Sequence, residues 1–121
     1  KIFQENTFTP EDDMEDMVEY GLSAVNKEPE EALRMYYEVM ELYEEHDRKY
    51  PLPADIVDLS IAIVLNIAKT DIQHAINLLD IIEIEEFRVE TIDKLLLVTD
   101  DKESKSVLED MKKWAIKKYR R

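Results

Sequence analysis

The stretch IVDLSIAIVLNIA, residues 56–68, decides the fold class. Its β-branched content would allow a strand, but 13 residues is long for one and no turn chemistry follows. Apolar residues recur almost all round a helical projection, so it reads as a helix, and as the central, most buried one. Its longest apolar run, Ile61 to Leu65, is bounded by Ser60 and Asn66. A membrane span needs about 20 apolar residues, so no transmembrane segment is expected.

Outward from this stretch the pattern stays helical. On the N-terminal side, Pro51 and Pro53 stop the preceding helix and Asp55 is placed to cap the central one. Pro29 opens that preceding helix, with Glu30 and Glu31 in its first turn. Tyr36, Val39, Met40 and Tyr43 make its core stripe at i, i+3, i+4 and i+7, and Glu41, Glu44, Glu45, Asp47 and Arg48 extend it into solvent. Earlier still, Thr9, Pro10, Glu11 and Asp12 form a helix start, and Met14, Met17, Val18, Leu22 and Val25 share the face that follows. Residues 1–8 have no periodicity and read as an N-terminal arm.

On the C-terminal side, Thr70 or Asp71 caps a fourth helix with Ile72, Ala75, Ile76 and Leu79 on one face. Residues 84–87 turn the chain, and Val89, Ile92, Leu95 and Leu96 make a short fifth helix. Asp100 and Asp101 start a sixth, striped by Val107, Leu108, Met111, Trp114 and Ala115. The expected fold class is therefore all-α: about six helices in antiparallel hairpins, with residues 9–121 as a single domain.

Composition narrows the chemistry. The 121 residues include no cysteine, which excludes disulfides, thiolate zinc sites, iron–sulfur ligation and a thiol nucleophile. Gly21 is the only glycine, so no phosphate loop, dinucleotide fingerprint or nucleophile elbow can be built. Residues 1–110 hold 29 acidic and 10 basic groups, a net charge of −19, and six lysines and arginines follow Asp110. Such a surface repels nucleic acid and anionic lipid and suits basic protein partners. The basic end matches a helix C-terminus, whose dipole favours cations. No apolar leader segment opens the chain, and Lys1 in place of Met is the end that presequence removal or trimming would leave.

No catalytic constellation is legible. His46 stands in Glu44-Glu45-His46-Asp47, but consecutive helical residues point about 100° apart and do not converge on a metal. His74 follows Asp71 by three residues, a spacing that suits a capping contact as well as a ligand pair. The serines lack a nucleophile's neighbours, and the paired carboxylates Asp12/Asp13, Glu85/Glu86 and Asp100/Asp101 lie at helix starts, where the charged form is favoured. No enzyme activity, cofactor, metal or small-molecule ligand is expected. The expected partner contacts are Tyr37, Tyr43, Glu44, Glu45 and Tyr50, with Lys117 and Lys118 from the basic end. Tyrosines among carboxylates suit packing on a protein better than base stacking, which favours basic neighbours.

There is also internal similarity. Ala32-Leu33-x-Met35-Tyr36-x-x-Val39 matches Ala75-Ile76-x-Leu78-Leu79-x-x-Ile82, and Ser104-x-x-Val107-Leu108-x-x-Met111 fits more loosely. The pattern resembles the helical-hairpin repeats of tetratricopeptide and pentatricopeptide proteins, which implies a right-handed α-solenoid in preference to an ordinary bundle. Three further segments carry a sharper likeness: the turn Asn26-Lys27-Glu28-Pro29 with Glu30 to Leu33, the Pro-led Pro51 to Asp58, and the stripe Asp71 to Leu79. Over roughly residues 11–84 the chain resembles the cytochrome c oxidase subunit Va family, counterpart of the yeast subunit VI. That resemblance implies a non-catalytic scaffold or interaction subunit on the matrix side of the mitochondrial inner membrane, in respiratory chain complex IV, binding no haem or copper itself. Without the resemblance, the cytoplasm or nucleus fits equally well. The alternatives are an RNA-binding pentatricopeptide-like domain, which the acidic charge disfavours, and a tetratricopeptide-type adaptor gripping a peptide tail.

Overall fold

The computed structural model describes residues 9–119, with side chains as far as Ala115. Among these residues every regular element is helical, with no strand: α1 (Pro10–Ala24), α2 (Pro29–Glu45), α3 (Ile56–Ile67), α4 (Ile72–Asn77), α5 (Glu85–Val98) and α6 (Lys102–Tyr119), plus one 3-10 turn at Leu79–Ile81. The all-α expectation and the six helices are thus observed. The arm at residues 1–8 lies outside the described residues. No described helix is long and apolar enough to cross a membrane. By their contacts the residues fall into two compact units, Lys1–Leu59 and Ser60–Arg121, and the division passes through α3.

In the first unit, α1 starts where the sequence places it. The Thr9 hydroxyl accepts from the Asp12 N–H at 3.2 Å, and the Asp12 carboxylate accepts from the Thr9 N–H at 3.3 Å, a reciprocal capping box. Pro10 occupies the first turn, where no helical N–H is required. Helix α1 packs on α2; Met14 and Val18 of α1, Val25 at its C-cap, and Ala32, Leu33, Met35, Tyr36 and Val39 of α2 are buried. Gly21 is the close point of this packing. A Cβ there would lie 3.0 Å from Leu59 Cδ2 and 3.6 Å from Met35 Cβ.

Helix α2 ends at Glu45, earlier than its run of charged residues suggests. Asp47 and Arg48 take positive φ, 55° and 60°, and the Arg48 N–H reaches back to the Tyr43 carbonyl at 2.9 Å. This is a left-handed helix stop built without glycine. It turns the chain before the prolines are reached.

In α3, Ile56, Leu59, Ser60, Ile63, Val64 and Ile67 are buried and only Asp58 is exposed, as its all-round apolarity predicts. In the second unit, Asp71 rather than Thr70 caps α4: its carboxylate accepts from the His74 N–H at 3.1 Å. Thr70 instead donates its hydroxyl to the Ile67 carbonyl. Helix α5 is longer than the apolar stripe implies, because residues 85–87, read as a turn, are already helical. Glu85 and Glu86 suit the positive end of the helix dipole, and Arg88 bonds Glu85 at 3.1 Å one turn on. Helix α6 differs in its facing. Ser104, Leu108 and Ala115 are buried, whereas Val107 and Trp114 lie one position off that row and are 42% and 68% exposed. Lys112 bonds Asp93 of α5 at 2.6 Å.

Candidate functional site

The residues singled out for partner contact separate into three settings. Tyr37 stands on the outward stripe of α2, half exposed, with Glu41 and Glu44 one and two turns on. Its ring meets that of buried Tyr36 edge-on, with centroids 5.8 Å apart. Tyr43 is half-buried and lies 5.9 Å from the Arg48 guanidinium, whose Nη2 also bonds Glu44 at 2.9 Å. Tyr50, also half-buried, packs edge-on to His46, and Lys49 approaches its ring at 5.9 Å. Glu45 is exposed at the end of α2. The structure therefore brings Tyr43 together with Glu44, and sets Tyr37 and Tyr50 apart. Lys117 and Lys118 fall on the backbone of α6, and their side chains lie outside the described ones.

Next to Tyr37 runs a polar chain joining α1 to α2. Tyr20, half exposed, donates its hydroxyl to Glu31 at 3.2 Å. Arg34 bonds Glu31 through both Nε and Nη2, at 3.1 and 2.6 Å, and bonds Glu38 through Nη1. The hydrogen bond from Arg34 holds the Glu31 carboxyl below its usual range. The negative charge of Glu31, and then its hydrogen bond, raise the Tyr20 phenol above its own. Both shifts favour the arrangement seen, an ionised Glu31 between a guanidinium and a neutral phenol.

A second feature of the first unit joins positions far apart in sequence. Glu15, Val18 and Glu19 of α1, with Pro53, Ala54 and Asp55, line a notch of about 200 Å³. Val18 and Pro53 are buried, and the three carboxylates are exposed around them. Sequence reasoning did not assemble this notch, because the spacing of residues 15 and 19 gives no sign of Asp55. It also missed Tyr20, although its position off the Met14–Val18–Val25 row could have placed it outside the core. The first unit carries 17 acidic and 5 basic residues, a net −12, while the second carries 12 and 11, a net −1.

The second unit has a groove of about 200 Å³ lined by Asp80, Glu85, Arg88, Ile92, Met111, Trp114 and Ala115. Arg88 is already engaged there, by the Ile82 carbonyl at 2.9 Å and by Glu85. Among the described residues, no three of His, Asp and Glu are grouped so as to hold a metal ion. Asp71 and His74 meet through the helix cap described above. Comparison with protein-family models, with curated proteins and with solved structures returned no match.

Proposed function

We propose that this chain is a non-catalytic interaction module, a subunit or adaptor of a larger assembly, whose first unit grips a lysine- or arginine-bearing segment of a partner protein. The observation that carries this reading is the concentration of negative charge, −12 in the first unit against −1 in the second, around half-exposed tyrosines and the carboxylate-rimmed notch. A basic side chain has an aliphatic stem and a charged head. The notch offers Val18, Pro53 and Ala54 to the stem and Glu15, Glu19 and Asp55 to the head. Tyr37 adds a rigid aromatic contact on α2, of the kind enriched at protein interfaces.

The reading takes the helix pairs as repeats of a right-handed α-solenoid. Its most specific form is the matrix-side accessory subunit of mitochondrial cytochrome c oxidase, supported by the resemblance over residues 11–84. Co-purification with oxidase core subunits tests that form. The general reading is tested by fluorescence anisotropy with a labelled lysine- and arginine-rich peptide. Binding that weakens with salt, and that is lost on Glu15→Lys with Glu19→Lys, supports it. Equal binding by that variant, or preference for single-stranded RNA over the peptide, refutes it.

A further inference from the structure

The second unit carries a larger groove, about 320 Å³, lined by Leu65, Ala68, Lys69, Lys94, Leu95 and Val98. Its chemistry is the reverse of the notch on the first unit. Of the described lining residues four are aliphatic and two are lysines, and no described acidic residue lines this groove. Leu95 is fully buried, and Val98, 70% exposed, carries the apolar surface out to the rim.

Neither lysine has a carboxylate partner among the described residues. The Lys69 ammonium bonds only the neutral Asn66 side-chain oxygen, at 3.1 Å. Lys94 makes no hydrogen bond or ion pair with a described residue. Both sit near helix C-termini, where a cation would ordinarily be explained by the last carbonyls. Here hydroxyls already meet two of those carbonyls: Thr70 donates to Ile67 at the end of α3, and Thr99 to Leu95 at the end of α5. Lys69 and Lys94 are both exposed, and they line the same groove as the aliphatic residues.

We infer that this groove binds an aliphatic carboxylate, its chain laid on Leu65, Ala68 and Val98 over the buried Leu95 and its head held between the Lys69 and Lys94 ammonium groups. Charge complementarity selects the head and the aliphatic lining selects the tail. Small-molecule sites run from about 300 Å³ upward and combine apolar walls with a few orienting polar groups, so a medium-chain acid is the right size class. This inference is independent of the acidic docking surface on the first unit.

The test is an amide-resolved NMR titration of the full chain with decanoate below its micellar concentration. Acetate, decanol and decyltrimethylammonium serve as comparisons. Saturable shifts confined to residues 65–69 and 94–98 are expected with decanoate. Acetate and decyltrimethylammonium should give none there, and decanol should bind more weakly. Lys69→Gln with Lys94→Gln should weaken decanoate about five-fold or more with the far-UV circular dichroism unchanged, and Lys69→Arg with Lys94→Arg should retain it. Absence of saturable shifts, shifts elsewhere, equal binding of decanol or decyltrimethylammonium, or an unaffected glutamine variant would overturn the assignment. So would occupation of the groove by an acidic peptide that decanoate fails to displace.

Discussion

Ser104 is the buried polar hub of the second unit, and its replacement gives a sharp prediction. Its hydroxyl donates to Asp101 at 2.7 Å and accepts from the Gln73 amide at 2.8 Å, joining α6 both to its own cap and to α4. The residue is completely buried, while Gln73 and Asp101 are exposed. Ser104→Ala removes one charge-assisted and one neutral hydrogen bond. Water can reach the two partners left behind, so the cost is the net worth of two bonds rather than a full burial penalty. That amounts to about 1.5–2.5 kcal/mol. With a urea slope of about 1–3 kcal/mol per molar, the unfolding midpoint should fall by about 0.5–2.5 M at neutral pH, followed by far-UV circular dichroism. Gln73→Ala removes only the neutral bond, so its midpoint should move less than half as far. The double variant should cost less than the sum of the two singles, since they share that bond. A Ser104→Ala midpoint within error of the parent at unchanged slope would refute the hub.

The cap itself predicts a pH dependence. Two bonds from Ser104, side chain first and then backbone, hold the Asp101 carboxyl below its usual range. Its stabilisation is therefore present above the ordinary aspartate range and lost as the pH falls through the folded-state value, and Asp101→Asn should flatten that part of an acid titration. Gly21→Leu forces a side chain into the 3.0 Å approach to Leu59 and should cost about 1–3 kcal/mol from overpacking, read as a lower midpoint of thermal unfolding. Asp47→Gly relieves a φ of 55° at an exposed position, worth about 1–2 kcal/mol, against about 0.5–1 kcal/mol of added chain entropy, so it should stabilise by up to about 1 kcal/mol in the same assay; a loss would mean that the left-handed stop is not strained.

Most of the fold was legible because its signals are local. Thr9 and Pro10 announce α1, Thr70 or Asp71 announces α4, and the length of the apolar stretch 56–68, with no turn chemistry after it, argues against a strand. What escaped depends on neighbours distant in sequence or on backbone conformation. The positive φ values at Asp47 and Arg48 have no glycine to advertise them, so α2 stops before its charge pattern does. Trp114 and Val107 are apolar and close to the stripe of α6. The burial of Ser104, Leu108 and Ala115, with the bond from Gln73 to Ser104, shows that the stripe turns one position away from them.

The candidate sites were less legible still. The tyrosines of α2 could be named from their spacing, but not the engagement of Tyr43 with Arg48 or of Tyr50 with His46. The notch needs Asp55 beside Glu15 and Glu19, and the lysine groove needs residue 69 beside residue 94. Both are made by tertiary packing, which periodicity does not encode.

The central claim is that the acidic first unit is the surface that binds a partner. Amide-resolved mapping of a lysine- and arginine-rich peptide on the intact chain tests it most directly. The account predicts shifts at residues 15–20, 34–45 and 53–55, reduced by salt and by Tyr37→Ala. Peptide shifts confined to residues 60–115, or no shifts at low salt, would contradict it.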